Sequence, residues 1–552
     1  MKKQLAFVAL ISVLLLTSGC TSPGPGEETE QLAGSVTPTT ALATVHANSA
    51  EPNADSTAPV VVSEFPLTAE PAGLYWPTQA WRSSTPEAQG MDSDRLAQMF
   101  AAIEAQKLNL HSLLVSRNGY IVTEAYFWPH QPDTKHEVQS ITKSIVSILV
   151  GIAIDQGYIG SVADPLLDYF PDRAIAERDQ RKQAITLEHL LTMTSGLAGD
   201  EGMAESRNWV QYMLDRPVVE EPGTKFQYNS GNIHLLSAII QDTSGTNTWS
   251  FAYKNLFKPL GIDLTDMYWE SDPNNIPAGG WGLWLRPQDL AKIGYLYLHE
   301  GTWDGQQLVP IDWVRSSTQP HVQVDEPLEP WDLQLGYCWW LHQPGFYGAH
   351  GAGGQFIFVI PEQQMVVVFT SGLKESEFVQ PELLVRDFIM PAAVSTAPLP
   401  ENLRGIAQLE AEINRVEQPE AKAVPPLPHI AQEISGQTYV MEPNPGNIRT
   451  ISLTFQATEA VLTVHTAGSQ RIMTVGLDDI LRLTADDSYP PVTEIAAQGF
   501  WQDDKTFVLN YQPVGASLWF QYSFHFEADK VMVHGVGSLF NIDDTLQGKR
   551  QG

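Results

Sequence analysis

The chain has 552 residues, 43% hydrophobic and 10% aromatic, which is material for two or three cores and excludes a largely disordered protein. Its 64 acidic residues against 32 basic ones leave a formal charge of −32, a surface that repels nucleic acid and anionic lipid and favours small molecules or neutral polymers as partners. With two cysteines, Cys20 and Cys338, a disulfide framework is excluded as well.

Lys2 and Lys3 precede an apolar run, Leu5 to Leu16, that ends in Thr17-Ser18-Gly19-Cys20. This is the order of a secretory signal, and the run is too short to span a bilayer comfortably. A cysteine directly after Gly19 resembles the lipobox of bacterial lipoproteins, which implies lipidation at Cys20 and an extracytoplasmic protein anchored to the bacterial cell membrane. Thr17 stands where that motif usually carries leucine. Residues 21–74 are rich in Thr, Pro, Ala, Ser, Glu and Gly without helical or strand period. They read as a flexible tether with an end-to-end distance of roughly 40 Å.

Order is expected from about residue 75. Ser93 is placed to cap a helix reaching about Leu108, with Leu96, Met99, Phe100 and Ile103 at helical spacing. Leu113 to Phe127 reads as two strands about Arg117-Asn118-Gly119. Ser140 to Gln156 is a strongly apolar helix ending at Gly157. Helical and turn-rich segments follow, and Phe356 to Ile360 and Met365 to Thr370 return to strands around Pro361-Glu362. Early strands, middle helices and late strands predict an α+β body over 75–395 whose sheet joins distant parts of the chain. Residues 396–430 carry a polar helix candidate (Glu401 to Val416) and Pro425-Pro426-Leu427-Pro428, and read as a linker. Residues 431–552 alternate in short strands (Ile451 to Phe455, Val461 to His465, Phe507 to Tyr511, Leu518 to Phe526, Val531 to Val536) and predict a small all-β accessory domain, a barrel or lipocalin-like sandwich.

Three segments carry chemistry. In Ser140-Ile141-Thr142-Lys143 the hydroxyl and amine share one helix face, and a serine at a helix start meets free N–H groups that stabilise developing negative charge. The Ser-x-x-Lys pattern alone is weak, since Ser371-Gly372-Leu373-Lys374 repeats it without the apolar helix. Phe226-Gln227-Tyr228-Asn229-Ser230-Gly231-Asn232 follows about ninety residues later, and His350-Gly351-Ala352-Gly353-Gly354-Gln355 later still.

In that order the segments resemble the penicillin-recognising serine hydrolases: class C β-lactamases, DD-peptidases, related esterases and 6-aminohexanoate-dimer hydrolases. Leu190-Leu191-Thr192-Met193-Thr194-Ser195-Gly196-Leu197, Gly282-Leu283 to Asp289-Leu290 and Gly301-Thr302-Trp303 fit the same family, and the likeness spans about residues 76–392. The resemblance implies a β-lactamase/transpeptidase-like antiparallel sheet with a helical region. It also implies Ser140 as nucleophile, Lys143 as base, Tyr228 as proton relay, and an oxyanion hole from the N–H of Ser140 and one near Gly353. Ser230 stands where the Asn of the family's Tyr-x-Asn holds a substrate carbonyl, with Asn232 nearby as a substitute amide, and His350 stands where lysine or histidine begins the third motif.

Tyr228-Asn229-Ser230 lacks the usual amide, and neutral imidazole at His350 attracts a carboxylate poorly. Both departures move the expected substrate from β-lactams towards esters or small amides. Cys338, within Tyr337-Cys338-Trp339-Trp340, reads as packing. No Gly-x-Ser-x-Gly elbow, metal-ligand spacing or cofactor motif is present. The alternatives are a silent cell-wall or peptide-binding protein of the same fold, a true β-lactamase or DD-peptidase, and a main function residing in the C-terminal strands as a ligand-binding barrel.

Overall fold

Phe356–Ile360 and Met365–Phe369 are apolar without a polar break, the signature of strands covered on both faces. A computed structural model describes residues 75–324, 333–342, 345–486, 489–538 and 543–552; the segments expected to be signal and tether lie outside them. The main sheet runs β2 (Tyr120–Tyr126), β1 (Leu110–Arg117), β6 (Met365–Ser371), β5 (Gln355–Ile360), β4 (Phe346–Gly351), β3 (Trp340–His342), antiparallel at each step. Two-residue strands extend it at both edges, Arg82–Ser83 pairing parallel beside β2. The β1–β2 turn has Asn118 at φ +52° and Gly119 at φ +80°, the left-handed pair that a two-residue hairpin prefers.

Period-two alternation sorts the sheet's side chains into two cores. Leu113, Val115, Phe358, Val367 and Phe369 face α1 (Ser93–Gln106) and its Leu96, Met99, Phe100 and Ile103. Leu114, Ile357, Val359, Val366 and Val368 face the helical region. The cap of α1 differs from expectation: Asp92 accepts from the N–H groups of Asp94 and Arg95, while Ser93 is the first helical residue and bonds Glu87. A carboxylate one residue earlier reaches the free N–H groups of the first turn.

Helix α2 (Ile141–Asp155) is buried around its whole circumference from Ile141 through Ala153, as a largely apolar central helix must be. It packs against α3 (Ser230–Ser244) and the sheet. Gly151 admits Trp313, since a Cβ there would stand 2.3 Å from the indole. Helix α4 (Pro287–Leu298) covers β5 and β6 from the same side.

The segment read as a linker carries α5 (Leu403–Glu417), which lies on α1 and β2 and buries Leu409 in their core. The C-terminal strands close on themselves. In chain order the strands of the closed ring are β7 (Thr438–Met441), β8 (Ile448–Phe455), β9 (Glu459–Thr466), β10 (Gln470–Gly476), β11 (Glu494–Trp501), β12 (Thr506–Pro513), β13 (Phe520–Glu527), β14 (Lys530–Gly537) and β15 (Asp543–Arg550), with the short strand Arg482–Ala485 pairing antiparallel on β11. Neighbours pair antiparallel, β7 meets β15, and a parallel contact from Gly476 of β10 to Gln498 of β11 completes a nine-stranded barrel. Its interior is filled by side chains such as Ile451, Leu462, Leu509 and Phe524, leaving a cavity of about 60 Å³. Ligand pockets are typically about 300 Å³ or more. Among the described residues no helix is long and apolar enough to cross a membrane.

Candidate active site

Ser140 stands at the N-terminus of α2, where the first helical N–H groups have no partner within the helix. One turn on, Lys143 is 3% exposed, and its Nζ donates to Ser140 Oγ at 2.8 Å and to the Gly280 carbonyl at 2.6 Å. Tyr228 Oη donates to the same Ser140 Oγ at 2.7 Å, and Lys143 Nζ lies 4.8 Å from the centre of the Tyr228 ring. Lys143 from the serine's own motif and Tyr228 from a motif about ninety residues later thus converge on one oxygen.

The loop carrying Tyr228 is held by the Leu190–Leu197 segment. The Met193 carbonyl accepts from Gln227 N–H and the Thr194 carbonyl from Gly223 N–H, each at 2.8 Å. Asn229 caps α3 through Gly231 N–H and bonds the Ala198 carbonyl. Ser230 packs against Gly280, where a Cβ would stand 2.5 Å from its own. Asn232 is a correction to the expectation of a substrate-binding amide. It is fully buried in α3 and its Oδ1 accepts from Ser195 at 3.0 Å, so it pins the loop and is not offered to the cleft.

His350 is the second correction. Ala349 and Gly351 face α2, so alternation along β4 turns His350 to the opposite face of the sheet. There its Nε2 lies 2.9 Å from His342 Nε2, its ring stacks on Trp340, and Phe356 meets it edge-on. Burial and the neighbouring His342 hold the imidazole well below its ordinary range, so it carries no charge at neutral pH. Gly353 and Gly354, at φ +79° and +85°, make the turn after β4. Ser371, the serine of the repeated pattern, donates to both their carbonyls at 2.7 Å, which explains its burial without chemistry.

The space beside Ser140 is walled by Met193, Leu335, Cys338 and Trp340, together with Lys143 and Tyr228. Burial pushes the Cys338 thiol up to about 12, and its Sγ donates to the Leu191 carbonyl, so it stays protonated. The fold also brings His111, His130 and His136 together, their ring nitrogens within 4.8 Å of one another, a cluster with no sequence spacing to announce it. His111 and His130 stack 3.9 Å apart and 17° from parallel, so their in-plane lone pairs do not meet at one point. Desolvation lowers all three.

Sequence reasoning missed Gln139, which precedes the serine at φ +49°, as well as Gly280, Met193 and Trp340. It also missed Ser517 of the barrel, whose Oγ accepts from Gln139 Nε2 at 2.8 Å and donates to Glu137 at 3.1 Å. Burial and the neighbouring Glu270 raise Glu137 to about 7. Gln139 and Met193 lie beside or within the motifs and could have been flagged; nothing local marks Ser517.

Fold and site together define a serine hydrolase. The chain belongs to the beta-lactamase family, whose sequence model matches residues 96–387, just over half of its length. Among curated proteins it is 24% identical over 284 residues to the 6-aminohexanoate-dimer hydrolase of Paenarthrobacter ureafaciens, covering 47% of this chain and 71% of that one. It is 25% identical over 298 residues to an uncharacterized protein of Alkalihalophilus pseudofirmus, covering 47% and 82%. Among solved structures, the octameric penicillin-binding protein homologue from Pyrococcus abyssi aligns over 83% of this chain and 100% of that one, with 17% identity and a TM-score of 0.44.

Proposed function

We propose that the protein is a lipid-anchored hydrolase of esters or small amides that works through an acyl-enzyme on Ser140. The observation that carries this reading is the convergence of Lys143 Nζ and Tyr228 Oη on Ser140 Oγ, each within 2.8 Å. Ser140 Oγ attacks the acyl carbon and its proton passes to Lys143 Nζ. The carbonyl oxygen, now negative, is held by the N–H of Ser140 and one from the turn at Gly353. Tyr228 Oη delivers a proton to the leaving oxygen or nitrogen, and the bond to the acyl carbon breaks. Water then attacks the ester on Ser140 with the same groups acting in reverse.

Among the described residues, Lys143 is the one basic side chain lining the space beside Ser140. His350 faces away and is neutral, so the third motif supplies no fixed cation for a substrate carboxylate. That favours a neutral acyl group, in keeping with the net charge of −32. Similarity to a 6-aminohexanoate-dimer hydrolase supports small amides as the second substrate class.

A panel of p-nitrophenyl esters, nitrocefin, D-amino-acid amides and aminohexanoate oligomers tests the reading on wild type and Ser140→Ala. Ester cleavage that disappears in the variant, with weak nitrocefin turnover, is the expected result. Strong nitrocefin hydrolysis would identify a β-lactamase instead, and failure of a fluorophosphonate probe to label Ser140 would leave a binding protein. Anchoring rests on Cys20 after the apolar run. Incorporation of an alkynyl fatty acid, lost in Cys20→Ala, tests it separately.

A further inference from the structure

The barrel reaches into the segment that carries the nucleophile. Its β12–β13 loop, residues 514–519, lays the Gly515 carbonyl against Glu137 N–H at 2.8 Å, and Trp519 Nε1 donates to the Gly372 carbonyl at 2.8 Å. Gly515 comes so close that a Cβ would stand 2.2 Å from the Lys135 carbonyl oxygen. Between these struts sits Ser517, fully buried. Its hydroxyl accepts from Gln139 and donates to Glu137, so two of the residues just before Ser140 are tied to one barrel side chain. On its other side Ser517 abuts Gly353, where a Cβ would stand 3.0 Å from that of Ser517. Gln139 is held at φ +49°, a left-handed conformation that a non-glycine residue keeps only when its surroundings impose it.

We infer that Ser517 of the barrel is a positioning residue for the oxyanion hole, wedged between its two halves and setting the distance from Ser140 N–H to the Gly353 turn through Gln139. The inference rests on the acyl-enzyme reading above. It gives the C-terminal barrel a role in catalysis that its filled interior does not. The barrel need bind no ligand of its own, because its loop completes the wall behind the reacting carbonyl. Ser517 touches neither substrate nor the reacting atoms in this account; it acts by fixing the backbone that does.

A misplacement of about 1 Å in a preorganised site costs up to roughly 100-fold in rate, and loss of one oxyanion donor about 100- to 1,000-fold. Loosening without loss of the donor belongs at the lower end. In the full chain, Ser517→Ala is therefore expected to lower kcat on a p-nitrophenyl ester by about 10- to 100-fold with KM within about twofold. Affinity for phenylboronic acid, whose tetrahedral adduct places an oxygen in the hole, is expected to fall by the same factor. Gln139→Met removes the other partner from the catalytic side and is expected to match it, and the double variant to be no worse than either single one.

A merely structural Ser517 would lower thermal stability and active fraction while leaving kcat per labelled site and boronate affinity unchanged; that result overturns the inference. So does a kcat within twofold of wild type in both single variants. If Ser517→Ala does not fold, Gln139→Met decides alone. Ser140→Ala separates the two levels of argument. Activity surviving there refutes the acyl-enzyme reading, whereas an inactive Ser140→Ala beside a fully active Ser517→Ala refutes the positioning role only.

Discussion

Tyr228→Phe deletes a single oxygen, the one that donates to Ser140 Oγ at 2.7 Å. Tyr228 is 38% exposed, and among the described residues its hydroxyl makes no other hydrogen bond, so little folding energy depends on that oxygen. An exposed neutral hydrogen bond contributes about 0.5–1.5 kcal/mol at most, and a change of this kind usually stays near ±0.5 kcal/mol. Positioned acid–base groups, by contrast, contribute about 10²- to 10⁴-fold in rate, or roughly 2.7–5.5 kcal/mol of barrier. The two quantities are well separated, so the variant should stay folded and lose activity. The leaving group sharpens the test. A p-nitrophenolate departs without a proton, while an alkoxide or amide anion does not. The loss in kcat/KM should then be about tenfold or more greater for ethyl esters and anilides than for p-nitrophenyl esters of the same acyl group. Thermal unfolding and steady-state kinetics on the paired substrates measure both sides. An equal loss on both leaving groups, or activity within about threefold of wild type, would refute the proton-relay role and return Tyr228 to packing.

Other outcomes follow from the site and the cores. Cys338, raised to about 12 by burial, should resist iodoacetamide at pH 8 in the native protein and react once unfolded. Trp340→Leu enlarges the space beside Ser140, and the kcat/KM ratio of octanoyl to acetyl esters should rise about tenfold. His111, His130, His136 and His350 all have lowered pKa values, so below about pH 6.5 the unfolded chain binds protons that the native one refuses. Their contribution is present above that pH and lost on acidification, each at up to about 1.4 kcal/mol per pH unit. The raised carboxyls of Glu137 and Glu270 work against this slope over the same range. Urea unfolding from pH 7 to pH 5 should show His130→Gln with a shallower dependence by about one proton; an unchanged slope would mean that His130 is not held neutral.

Much of the catalytic body was determined locally. The largely apolar run of Ile141 to Ala153 can be satisfied only by a central helix, and uninterrupted strands such as Met365 to Phe369 only by a sheet covered on both sides. Spacing along one helix turn placed Lys143 beside Ser140, because i and i+3 share a face whatever surrounds them. The alternating C-terminal strands likewise announced an all-β unit. What the sequence could not settle is where distant segments point. Alternation tells that His350 opposes its neighbours but not which face of β4 meets α2, and the packing turned it away from the serine. Asn232 lies in a motif-like position, yet α3 buries it against Ser195. Ser517 stands 378 residues after Gln139, and only the docking of a barrel loop beside α2 brings them to 2.8 Å. Local periodicity determines which elements form and which residues share a face. The partners across an interface depend on how those elements pack, and that information is not carried in any one segment.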